Sequence, residues 1–206
     1  MQVLENNKLE LVKDYLTKAM DYPRYRELVR QLAIMEKTTG PEQSEARIGY
    51  TKLGDRRMSR WDKTFKVPEG IQQSLESLDK ELVFLALTES WCGDAAASLP
   101  IIHKIAEASP NITLKVVLRD ESLDLMDTFL TNGSRSIPKV ILLDQVNDEI
   151  IAEWGPRPSI ATQMVEDFKK GHGKLTDEFK QELQVWYNKN KGQNILEDIL
   201  ELLPLE

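Results

Sequence analysis

The chain has 206 residues, 41% of them hydrophobic and 30% charged, which suits a water-soluble globular protein with a sizeable core. Its 27 basic residues against 34 acidic ones give a formal net charge of -7, and the basic residues are scattered. No basic stripe exists to follow a nucleic-acid backbone, so nucleic-acid binding is not expected.

The N-terminus, MQVLENNKLELVKDYL, lacks a basic stretch leading into an apolar one. No apolar run approaches the roughly 18 residues that a membrane span needs, so the expectation is a cytoplasmic protein with no membrane partner. The single cysteine, Cys92, rules out an internal disulfide, and with only His103 and His172 beside it a Cys/His zinc site is not expected.

Residues 1 to about 80 read as helical. Leu9, Val12, Leu16 and Ala19 share one face, a break falls at Asp21-Tyr22, and Pro23 stands where a second helix can start. Leu28, Leu32 and Met35 continue an apolar face until Thr39-Gly40-Pro41 stops it. The segment from Ser44 to Phe65 reads as a third helix or a partly irregular arm, because Gly49 and Gly54 each cost a helix about 1 kcal/mol relative to alanine. A short helix over Glu69 to Leu78 follows.

From Leu82 strands alternate with helices, a pattern that predicts βαβ units and a largely parallel sheet. LVFLALT (82–88) and ITLKVVL (112–118) read as strands, with helices over Asp94 to Ala108 and Ser122 to Leu130. KVILLD (139–144) and EIIAEW (149–154), split by a turn at Asn147-Asp148, read as a hairpin, and a helix covers Ser159 to Lys170. Two amphipathic helices separated at Lys191-Gly192 close the chain. The division predicted is a helical extension over 1–80, a central α/β unit over 81–171 and a second helical extension over 172–206.

Cys92 follows a strand and precedes a helix, so its sulfur meets the free N–H groups and positive dipole end of a helix N-terminus. That placement predicts a stabilised thiolate; a lone cysteine after a strand also reads as a small buried hydrophobe. GHGK at 171–174 lacks the spacing of a phosphate loop and reads as a helix-ending turn. His103 lies too far along its helix to pair with Cys92.

ESWCGDAAASLP (89–100) resembles the active-site region of the thioredoxin family, whose signature is W-C-G-P-C ahead of a helix kinked at a proline. Trp91, Cys92 and Gly93 match, and Pro100 falls at the kink spacing. GSRSIPKVILLD resembles the family's G-x-R-x-I-P segment through Gly133, Arg135, Ile137 and Pro138. The resemblance covers about residues 80–170. It implies a thioredoxin-like α/β fold, a central mixed sheet flanked by helices, with a cis Pro138 beside Cys92 and Ile137 offering backbone groups to an extended substrate. It also matches Gly155 to a glycine that admits the substrate.

The resolving cysteine of that signature is replaced by Ala95, and the family's buried acid, six residues before Cys92, by Ala86. Asp94 stands where the family often has proline; it suits the first turn of a helix but repels a neighbouring thiolate.

The resemblance thus implies a single-cysteine thiol–disulfide oxidoreductase in which Cys92 is the nucleophile. Trp91, Gly93, Asp94, Ile137 and Pro138 would bind the substrate, a protein or a low-molecular-weight thiol or disulfide. An outside thiol would resolve the mixed disulfide. No cofactor is implied, since C-G-D-A does not match the C-G-F-S of relatives that hold an iron–sulfur cluster. The alternatives are a non-catalytic binding module on the same scaffold, and a homodimer formed through the helical additions.

Overall fold

A computed structural model describes residues 2–205. The chain opens with α1 (Gln2–Lys18), then β1 (Met20–Asp21), α2 (Tyr22–Ile34), α3 (Glu45–Thr64) and α4 (Glu69–Glu76). Next come β2 (Leu82–Thr88), α5 (Gly93–Glu107), β3 (Ile112–Leu118), the short α6 (Leu123–Thr128), β4 (Lys139–Asp144) and β5 (Glu149–Trp154). The chain ends in α7 (Ser159–His172), α8 (Asp177–Asn190) and α9 (Gln193–Leu202). No helix among the described residues is long and apolar enough to cross a membrane.

The sheet has the order β1-β3-β2-β4-β5 and is mixed. Only β2 and β3 run parallel; β4 is antiparallel to β2 and β5 to β4. The largely parallel sheet suggested by the strand–helix alternation is therefore corrected, while the mixed sheet implied by the resemblance and the hairpin over 139–154 are both present. Crossovers through helices can return a chain parallel or antiparallel, and only α5, between β2 and β3, makes a true βαβ unit. The tight turn after β4 obliges β5 to be antiparallel: the Asp144 carboxylate gathers the N–H groups of Val146 and Asn147 at 3.0 and 2.9 Å.

A strand that the helical pattern hid is β1. Two residues suffice because Met20 and Asp21 pair antiparallel with Val116 and Lys115 on the edge of β3. Asp21 then turns N-cap for α2, its carboxylate accepting the Arg24 N–H at 2.8 Å, with Pro23 in the first turn as its fixed φ favours.

The Ser44 to Phe65 segment is one continuous helix, capped by Ser44. Gly54 in its middle answers a packing demand: a Cβ there would lie 3.1 Å from the Ser90 carbonyl oxygen and 3.8 Å from the Ala96 methyl. The glycine that weakens the helix lets α3 lie close against the loop ahead of α5.

The additions at both ends are built into one core. Buried Val12, Tyr25, Met58 and Trp61 from the N-terminal part join Phe84, Leu99 and Ile141 of the sheet layers and Tyr187, Ile195 and Ile199 of the C-terminal helices in one contiguous cluster. Helix α1 packs on β3 and α6, and α9 on α5, α7 and β5. The C-terminal pair breaks at Lys191-Gly192, both with positive φ, where Gly192 sits against Phe65 and Ile101 with no room for a side chain. At GHGK the chain ends α7, with Gly173 at φ 74 donating to the Lys169 carbonyl.

Candidate functional site

Strand β2 is buried along its whole length and delivers the loop Glu89–Trp91 to the N-terminus of α5. Cys92 is the N-cap of that helix, with its sulfur accepting the Ala95 N–H at 3.4 Å. Its thiol donates to the Ile137 carbonyl at 3.3 Å, across a gap that the cis Ile137-Pro138 peptide borders. Trp91, Cys92, Gly93, Asp94, Ile137 and Pro138 therefore lie together at one end of the sheet, and Ala95 and Ala86 are both buried nearby.

Gly155 completes the border. Its φ is 115, and a Cβ on it would stand 2.1 Å from the Pro138 carbonyl oxygen. The chain leaving β5 therefore lies directly against the cis proline, a closeness that only glycine permits.

The sulfur itself departs from the helix-dipole expectation. Cys92 is 7% exposed, and burial, joined by the adjacent Asp94 charge, pushes its thiol up to about 12. The Ala95 and Asp94 N–H groups and the Arg157 guanidinium pull the other way and lose. The predicted stabilised thiolate is corrected to a protonated thiol engaged as a donor. Ile137, expected to offer its backbone to a substrate, has its carbonyl taken by that thiol.

Asp94 does not face open solvent. One carboxylate oxygen meets Arg157 at 2.8 Å and the other accepts the Tyr187 hydroxyl at 2.9 Å, so α5, the segment after β5 and α8 converge on it. Burial raises its carboxyl pKa, and Arg157 and Tyr187 oppose the shift. Arg57 of α3 comes up beside Gly93, its guanidinium nitrogen 3.4 Å from where a Gly93 Cβ would be, and burial lowers its pKa. Trp91 is half-buried beneath two guanidinium groups, Arg47 at 4.4 Å and Arg119 at 5.0 Å from its ring centre.

Below the loop lies a buried hydroxyl cluster. Ser90 Oγ is 3.1 Å from Thr38 Oγ1, 2.9 Å from Thr51 Oγ1 and 3.0 Å from the Thr39 N–H, while the Ser90 N–H donates to Thr39 Oγ1 at 2.8 Å. These contacts fasten the loop to the turn after α2 and to α3. Replacing Ser90 with alanine leaves those partners unpaired in a closed site and is expected to cost about 1–3 kcal/mol, read by urea denaturation. A loss below a few tenths of a kcal/mol would contradict that.

Arg57, Arg157, Tyr187 and the Thr38–Thr39–Thr51 cluster escaped sequence reasoning. Each reaches the site from a remote segment, and no local spacing marks it. Arg157 alone carries a signal, two residues beyond the matched Gly155. His103, set aside as a partner for Cys92, stacks on Tyr22 and meets Glu107 at 3.3 Å.

A sheet of this order, with a cysteine at the helix cap and a cis proline across from it, defines a thioredoxin-like fold. A family model described as thioredoxin matches residues 40–169, more than half of the chain, and the chain belongs to that family. The match begins ahead of α3, well before the residue-80 start of the sequence resemblance, so the family region takes in α3 and α4.

Two solved structures share the fold. A protein of unknown function from Pseudomonas aeruginosa is 18% identical at a TM-score of 0.55, covering 73% of this chain and 83% of its own. An HIV epitope scaffold is 16% identical at a TM-score of 0.57, covering 89% and 92%. No curated protein matches.

Proposed function

We propose that the chain performs single-cysteine thiol–disulfide exchange through Cys92. The observation that carries this reading is the placement of the sulfur at the N-cap of α5, within hydrogen-bond reach of the backbone beside Pro138. In the exchange, Cys92 gives up its proton to solvent and its sulfur attacks one sulfur of a substrate disulfide. A mixed disulfide forms as the other substrate sulfur leaves as a thiolate. Because Ala95 is no thiol, an outside thiolate must attack the mixed disulfide, freeing Cys92 and carrying away the substrate as a new disulfide. The attack needs the Cys92–Ile137 contact to open, which releases the Ile137 carbonyl to an extended substrate.

The burial of the thiol favours a second reading, a non-catalytic binding module on the same scaffold. One experiment separates them: incubation of the folded protein with an aromatic disulfide that releases a coloured thiolate. Exchange predicts one thiolate released per chain, a mixed disulfide seen by mass, its reversal by an added small thiol, and loss of all three in Cys92→Ser. If the folded chain stays unmodified while the denatured chain reacts, exchange is excluded and the binding module stands.

A further inference from the structure

A cavity of about 470 Å³ opens between the end of α3, the end of α8 and the start of α9. Its volume falls in the range of small-molecule sites. Arg60, Lys66 and Lys191 line it and no carboxylate among the described residues does, in a chain whose net charge is -7. Three cations with no carboxylate partner among the described residues set this hollow apart from the acidic average of the chain.

Trp61 forms part of the wall. It is 5% exposed, yet its indole N–H is buried with no partner among the described residues. Arg60 lies over the indole ring at 4.7 Å and spends one nitrogen on Asn188 at 2.5 Å, which keeps its guanidinium at the rim with other N–H groups to offer. The ten-residue α9 starts beside this hollow, to which it contributes Gln193 and Leu196; the Asn194 N–H of its first turn is already taken by the Asn190 side-chain oxygen at 3.0 Å, so the helix adds its dipole rather than an uncapped N-terminus. Glu197, one turn into α9, is engaged with the Gln193 amide at 2.9 Å. Phe65 and Leu196 supply an apolar floor.

We propose that this cavity binds a phosphate monoester carried on an apolar or aromatic body. The phosphate sits among Arg60, Lys66, Lys191 and the α9 N-terminus, and the body lies on Phe65 and Leu196. The site is separate from Cys92 and stands or falls independently of the exchange chemistry.

The test is calorimetric titration of the full chain with phenyl phosphate, with inorganic phosphate, and with sodium chloride at matched ionic strength. Phenyl phosphate is expected to bind at least tenfold more tightly than inorganic phosphate. It should also move one of the four tryptophan indole N–H resonances, the one lost in Trp61→Phe. The double variant Lys66→Gln, Lys191→Asn changes two exposed side chains, and asparagine tolerates the left-handed φ of 56 at the second. It should weaken binding at least tenfold while the unliganded melting temperature and Cys92 alkylation stay unchanged; Lys66→Gln alone gives the same direction should the double variant fold poorly. No heat with phenyl phosphate, equal binding by the variant, or an equal response to sodium chloride would overturn the site. Equal affinity for inorganic phosphate would overturn the role given to the apolar floor.

Discussion

Gly155→Ala is expected to destabilise the protein by about 4 kcal/mol, a fall in melting temperature of roughly 8–16 °C followed by circular dichroism. Two costs add. Alanine at φ 115 is strained, and its Cβ would stand 2.1 Å from the Pro138 carbonyl oxygen, a backbone atom that cannot swing aside as a side-chain tip can. Relief requires the start of β4 and the exit of β5 to part, which disturbs the pairing of Val140 with Trp154. Gly133→Ala is the control: its φ is 73, but nothing lies within 4 Å of the added carbon, so only the backbone strain of about 1 kcal/mol is due. Equal losses at the two glycines would show that close approach to Pro138 is not what Gly155 provides.

The second large effect is on the sulfur. With the Cys92 thiol pushed up to about 12, alkylation should keep rising with pH through about pH 10, without the plateau of an activated cysteine. At neutral pH an ordinary free thiol, titrating near 8.5, should react roughly 30-fold faster or more, after allowing for the greater nucleophilicity of the more basic sulfur. Two substitutions should move the profile in opposite directions. Asp94→Asn removes the negative charge that opposes the thiolate and leaves Arg157 in place, so the profile shifts to lower pH and alkylation quickens. Arg157→Gln removes the attraction and leaves Asp94, so alkylation slows. A plateau below about pH 9 in the unmodified protein, or a common direction for the two variants, would contradict this account of the site.

The strands and the outline of the site were legible because their signals are local. A fully apolar run bounded by turns marks β2, and the spacing of Cys92 and Pro100 marks α5, while the cis bond at Pro138 beside Cys92 was implied by the family resemblance alone. Sheet polarity was legible in part: the short turn after Asp144 marks the antiparallel hairpin of β4 and β5, but strand–helix alternation suggests parallel pairing elsewhere and gives no sign that β4 runs antiparallel to β2. β1 was hidden because two residues carry no periodicity.

The state of Cys92 was misjudged for a related reason. The dipole of α5 can be read from neighbouring residues, but desolvation depends on what covers the sulfur. The groups gathered on the adjacent Asp94 and Gly93 include Arg57, Arg157 and Tyr187, contributed by α3, the segment after β5 and α8. The local reading set the attraction of the helix end against the repulsion of Asp94 and left burial as an alternative; burial is the largest effect.

The Asp94 carboxylate, held at once by Arg157 and by the Tyr187 hydroxyl, ties the chemistry of Cys92 to the seating of the chain's last helices. The two are coupled equilibria, and coupling is reciprocal. Any event that frees Tyr187 from Asp94 alters how readily the sulfur ionises. Ionisation of the sulfur must in turn alter the hold on α8 by the same free energy. The C-terminal helices thereby serve as a reporter of the thiol, and the thiol as a reporter of their docking.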